Sequence, residues 1–205
     1  VGFASPFLLR TVDPPVKDAE GRRVVALRRI GKRIAFAFDN GVAMVIHLMI
    51  AGRLHWRKAG AAIPGGKRGL AAFDFDNGTL ILTEAGTRKR ASLHMTRGDA
   101  GLDALDPGGM DVMAATPEQF RAVLTAENHT LKRSLTDPRS FSGIGNAYSD
   151  EILHRARLSP ITMTQKLDPA AVDRLFAAIR EVMSEWIERL RAEAAGEFPE
   201  NVTAF

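Results

Sequence analysis

At 205 residues with 45% hydrophobic side chains, the chain is long enough for one large or two small cores and needs no covalent staples. It contains no cysteine, which excludes disulfides and thiolate metal sites, and His47, His55, His94, His129 and His154 show no paired ligand spacing. A net charge of +4 suits a polyanion partner without demanding one, and no apolar run has membrane-spanning length or signal-peptide character, so the expected compartment is the cytoplasm.

The first half reads as β structure. Asp39-Asn40-Gly41 and Asp76-Asn77-Gly78 are each flanked by apolar runs, a hairpin signature. Expected strands are Val24 to Arg29, Arg33 to Phe38, Val42 to Leu48, Leu70 to Phe75, Thr79 to Thr83 and Arg90 to Met95, in two packed antiparallel layers. The Gly- and Ala-rich stretch from Ala59 to Lys67 reads as a loop, and Asp103 to Gly109 as the linker between halves. Thr116-Pro117-Glu118-Gln119 then supplies an N-cap, a first-turn proline and a capping glutamine for a helix reaching Ala126. The last helix starts at the Asp168 cap and carries Val172, Leu175, Phe176, Ile179, Val182, Met183, Trp186, Ile187 and Leu190 at core spacing, with Gly196 as its stop. The fold class is therefore α+β: an antiparallel β-sandwich over residues 1–104, then a helical domain over 105–205.

Basic residues cluster at Arg22-Arg23, Arg28-Arg29, Lys32-Arg33, Arg53 to Lys58, Lys67-Arg68, Arg88-Lys89-Arg90 and Lys132-Arg133, whereas the last helix mixes both signs evenly. The most telling stretch is Ser142-Gly143-Ile144-Gly145-Asn146-Ala147-Tyr148, where two glycines precede a helix that opens with an amide side chain. Glycines let a backbone approach a ligand closely, and the unpaired N–H groups of a first helical turn favour an anion. Such a turn serves plain chain reversal as readily, and asparagine there is a common cap.

The glycine turn, its helix and the break at Arg157-Leu158-Ser159-Pro160 resemble the helix-two-turn-helix of the formamidopyrimidine-DNA glycosylase and endonuclease VIII family. Gly31-Lys32-Arg33 and His47-Leu48-Met49-Ile50-Ala51-Gly52 resemble the same family's lysine turn and His-Leu-x-Met-Ser/Thr-Gly motif. The resemblance runs from about Arg22 to the end of the chain and implies a DNA glycosylase and abasic-site lyase of base-excision repair, a hydrolase and lyase acting on damaged duplex DNA. By the same resemblance Lys32, His47 and Asn146 would grip phosphates, Lys132 would lie near the lesion pocket, and Ile50 would take the place of the methionine wedge. Thr83 to Arg90 would stand for the loop that meets the orphaned base; it offers Arg88, Lys89 and Arg90 but no phenylalanine, so the choice of opposite base does not carry over.

The family's nucleophile is an N-terminal proline amine assisted by a glutamate, chemistry suited to a group titrating near neutral pH. Val1-Gly2-Phe3 is not such a start, and the family's four-cysteine zinc finger is not in this sequence. The expectation is thus the interior of a longer enzyme, with no catalytic residue, metal or cofactor of its own, acting as a monomer on duplexes with damaged bases or abasic sites and associated with the bacterial nucleoid. The alternative is a non-catalytic binder of damaged or abasic DNA on the same scaffold.

Overall fold

The computed structural model describes residues 2, 3, 5, 7–65 and 68–200; Lys67 of the basic pair Lys67-Arg68 and the tail beyond Glu200 lie outside them. Two compact units form, one reaching to Leu105 and rejoined by Phe198, the other running from Asp106 to Glu197. No helix among the described residues is long and apolar enough to cross a membrane.

The first unit is a sandwich of two four-stranded antiparallel sheets. One has the order β2 (Val24–Ile30), β3 (Arg33–Phe38), β4 (Val42–His47), β8 (Ser92–Arg97); the other has β1 (Gly2–Phe3), β6 (Gly69–Phe75), β7 (Gly78–Glu84), β5 (Gly52–Arg57). Period-two alternation sends Phe36, Phe38, Met44, Ile46, Leu93 and Met95 into a core shared with Leu70, Phe73, Leu80 and Leu82. The opposite face of the β2-β3-β4-β8 sheet buries Ile30, Ala35, Ala43 and Val45 with Leu102 of α1 (Gly98–Asp103). Both Asp-Asn-Gly turns form hairpins as expected. In the first, Gly41 has a φ of 76° and the Asn40 side chain accepts from the Val42 amide at 3.2 Å.

Four expectations for the first unit need correcting. Strand β5 spans what the sequence presents as a basic cluster, yet Leu54 and Trp56 alternate with Arg53, His55 and Arg57 as a half-buried strand requires. The strand expected from Arg90 starts at Ser92, because the Arg90 and Ala91 amides bond the Glu84 carboxylate instead of a ladder. Leu48 leaves the sheet because its carbonyl turns to accept from Gly52. The expected linker is half helix: α1 runs to Asp103 before the chain passes into the second unit.

The second unit holds α2 (Pro117–Ala126), α3 (Leu131–Thr136), α4 (Asn146–Ala156) and α5 (Pro169–Ala194). The capping box exists as expected: Thr116 accepts from the Gln119 amide at 3.3 Å and Gln119 Oε1 accepts from the Thr116 amide at 2.9 Å. Asp168 caps α5 through the Ala171 amide at 2.7 Å. Val172, Leu175, Ile179 and Val182 are buried with Phe120, Leu124, Leu131, Phe141 and Ile152. Ile187, expected in the core, is 38% exposed, whereas Met183 and Trp186 beside it pack against the core. Helix α3 went unforeseen; at six residues it is too short to show a period.

Candidate nucleic-acid interface

One end of the sandwich gathers the sequence-predicted residues of the first unit. Gly31, with a φ of 57°, makes the tight β2-β3 turn and presents Lys32 at its apex. Arg33 pairs across β3-β4 with His47, and His47 pairs across β4-β8 with Ser92. One step further along the same face, Ala35, Val45 and His94 are in register. Burial followed by the charge of Arg33 lowers the Lys32 pKa. Burial, then Arg33, Lys32 and His94, lowers that of His47, which makes its imidazole poor at holding a proton until an anion arrives.

Beyond His47 the chain makes a closed turn. The Gly52 amide donates to the Leu48 carbonyl at 2.9 Å, and a Cβ at Gly52 would lie 2.3 Å from that oxygen, so only glycine fits. Met49 adopts a φ of 54°, and Ile50 stands 81% exposed at the tip. Arg53 braces the turn by donating from Nη1 to the carbonyls of Ile50 at 3.0 Å and Gly52 at 2.7 Å. Val12 at 94% and Ile161 at 77% are comparably exposed, and what sets Ile50 apart is its place at the tip of this braced turn, where a stiff apolar side chain suits insertion between stacked bases.

The loop after β7 lies beside this turn: Gly52 and Glu84 are partners in the β5-β7 register, and the Ala85 amide reaches the Ala51 carbonyl at 3.4 Å. Its anchor is Glu84, only 2% exposed, whose carboxylate accepts from the amides of Arg90 at 3.0 Å and Ala91 at 3.2 Å. Lys89 donates to the Glu84 carbonyl, so its ammonium is spent on the loop, while Arg88 and Arg90 are exposed. Neither Glu84 nor Arg53 was singled out from sequence. Their bonds go to backbone atoms of the turns beside them, and no residue spacing announces them.

The second unit carries the remaining predicted residues. Gly143 has a φ of 84°, whereas Gly145 is extended and occupies the N-cap of α4. Asn146 is therefore the first helical residue, exposed, and its side chain does not cap the helix. The segment before it is clamped by Met110, whose amide donates to Ser140 at 3.0 Å and whose carbonyl accepts from Ser142 at 2.8 Å. Lys132 lies on α3, with Nζ 2.5 Å from both carboxylate oxygens of Asp150, one turn after Asn146 on the same face of α4. The pair leaves Lys132 partly neutralised and held beside the glycine turn.

No group of three or more His, Cys, Asp or Glu among the described residues is arranged to hold a metal ion, and the sequence offers no thiolate. These residues do not fit a four-cysteine zinc site.

A β-sandwich with exposed loops at one end, together with a helix-two-turn-helix unit, defines a class of DNA-repair architecture. The model of the formamidopyrimidine-DNA glycosylase N-terminal domain matches residues 6–144, and that of the H2TH domain matches residues 105–195. The formamidopyrimidine-DNA glycosylase of Heliobacterium modesticaldum is 34% identical over 196 residues, 92% of this chain and 68% of that protein. That of Thermus thermophilus is 34% identical over 174 residues, 83% of this chain and 62% of that protein. Among solved structures, the MutM (Fpg) protein of Thermus thermophilus has a TM-score of 0.76 at 30% identity, covering 91% of this chain and 67% of that one. An inhibited LlFpg in complex with DNA containing N7-benzyl-Fapy-dG, from Lactococcus lactis, has a TM-score of 0.82 at 23% identity, covering 91% and 70%, a likeness of fold. The chain belongs to the formamidopyrimidine-DNA glycosylase family and spans roughly two thirds of the length of these relatives.

Proposed function

We propose that the chain is the DNA-handling part of a base-excision-repair glycosylase, gripping a duplex at a damaged or abasic nucleotide. The observation that carries this is the rim of the first unit. There an exposed apolar tip at Ile50 and a cationic loop at Arg88 to Arg90 stand side by side, next to Lys32 and His47. Extruding a nucleotide requires both features, a body to fill the vacated stack and cations on the flanking phosphates. The Lactococcus lactis enzyme has been crystallised with abasic-site DNA, which supports the same substrate here.

In this scheme Lys32 supplies a point charge, His47 an imidazole that becomes a better donor when an anion raises its proton affinity, and Asn146 an amide beside the open N–H groups of α4. Ile50 enters the duplex, and Arg88 probes the gap. Lys132 orders the glycine turn through Asp150 and is set free if a phosphate competes for it. Base removal and strand cleavage at an abasic site require an amine at the sugar carbon. We assign that role to an N-terminal proline of the natural protein, outside these 205 residues.

Two measurements test the scheme. Fluorescence anisotropy with a duplex bearing one abasic-site analogue, against the intact duplex, is expected to show preference for the former. Lys32→Ala should weaken binding and reduce the slope of log K against log salt by about 1. Equal affinity for both duplexes would overturn lesion binding. Borohydride trapping on an abasic duplex is expected to give a covalent complex with the natural full-length protein. Binding without trapping would instead make it a non-catalytic lesion binder.

A further inference from the structure

Arg33 and His94 take no part in the scheme above, yet among the described residues they carry buried side-chain nitrogens that no neighbour satisfies. Both project from the face of the β2-β3-β4-β8 sheet that carries His47: Arg33 is directly opposite His47, and His94 is opposite Val45, two residues along. Arg33 Nε and His94 Nδ1 are buried and have no hydrogen-bond partner. Native structures rarely leave such atoms unpaired, so each is open to an ordered water or to a group that a ligand brings. On the same face Arg28 is paired with Asp99 at 2.7 Å, which shows that this sheet can neutralise an arginine where the fold calls for it.

The charges around the pair share one sign. Arg33 and Arg10 act on His94; Arg33, Lys32 and His94 act on His47. Arg10 is placed there by its amide, which donates to the Leu93 carbonyl at 2.8 Å, one residue from His94. Lys32 and Arg33 come from β3 and its turn, His47 from β4, His94 from β8 and Arg10 from the segment paired with β8, and no carboxylate is among the charges shifting the two histidines. Several bases with buried donors and no acid among them suit an oxyanion.

We propose that Arg33 and His94 form, with His47, an oxyanion site for a backbone phosphate of the bound strand, extending the grip of Lys32 inward across the sheet. The proposal rests on the duplex-binding function given above. A rotation of the two half-buried side chains turns Arg33 Nε and His94 Nδ1 toward the phosphate, and both atoms gain the partner they lack. Because burial and like charges disfavour protonated His47 and His94 in the free protein, the arriving anion draws protons onto them. Duplex binding therefore tightens as the pH falls through the ordinary histidine range.

The test follows the His94 and His47 imidazole resonances by NMR from about pH 5 to 8, the range in which imidazole titrates, alone, with inorganic phosphate and with the abasic-analogue duplex. Both midpoints are expected to rise with the duplex, and the His94 rise to vanish in Arg33→Met, whose fold is checked by its amide spectrum. Arg33→Met and His94→Phe should each weaken duplex binding roughly tenfold, the loss of one charge-assisted hydrogen bond, with Arg33→Lys restoring part of it. A His94 midpoint unmoved by either anion would overturn the proposal. A midpoint that rises with phosphate in a protein that does not bind the duplex would keep the oxyanion site and overturn the duplex-binding function instead.

Discussion

At the scale of single residues, Glu84 is the side chain on which the rim most depends. Its carboxylate is buried at the end of β7 and satisfies two amides that have no ladder partner, so removing it leaves those donors stranded. Glu84→Ala is expected to cost about 2–3 kcal/mol in urea unfolding, since charge-assisted bonds and orphaned donors each carry roughly that weight. A loss below about 1 kcal/mol would mean that the loop holds itself. Ile50 is the converse case. Exposed at 81%, it contributes little to the core, so Ile50→Ala should change stability by less than about 0.5 kcal/mol while weakening lesion binding. The residue types of Lys32, His47 and Asn146 were legible because each sits in a short motif with its own local turn. Glu84, Arg33 and His94 were not, because their importance comes from burial and cross-strand neighbours.

Elements show a similar division. Hairpins and capped helices were readable because their signals are local: Asn-Gly turns, a capping box at Thr116, an Asp-Pro start at Asp168. Strand β5 was hidden under its own positive charge, and α3 has too few residues for a period. The glycine turn before α4 is fastened from two directions, by Met110 bridging Ser140 and Ser142 and by Phe141, whose ring lies 5.3 Å from that of Phe120. Phe141 is fully buried, so Phe141→Ala is expected to destabilise the second unit by about 3–5 kcal/mol, read as a lower thermal midpoint. If the midpoint barely moves, the turn is held by its backbone bonds alone. Gly109 supports the same contact from below: a Cβ there would meet the Pro138 carbonyl at 2.3 Å.

For the whole molecule, charge and pH are coupled. His47 and His94 have lowered pKa values, so below the ordinary histidine value the unfolded chain binds more protons than the folded one, and stability falls as the pH drops from about 7 toward 5. Asp137, held at about 2 by Arg139, acts in a lower window: its contribution is complete above the usual carboxylate value and is lost between about pH 4 and 2. Thermal midpoints are expected to show both steps, and His94→Phe together with His47→Phe should remove the upper one; an unchanged upper step would place its origin elsewhere. The sequence by itself determined the α+β class, the hairpins, the capped helices and the family, because periodicity, turn chemistry and short motifs are properties of neighbours along the chain. Only the tertiary structure decided that Ile50 stands out from a glycine-locked turn, that Lys89 is spent on its own loop, and that Arg33 and His94 hold buried donors without partners. Exposure depends on residues far apart in sequence, and which atom a polar group meets depends on the folded path of the backbone, so no spacing in the sequence encodes either.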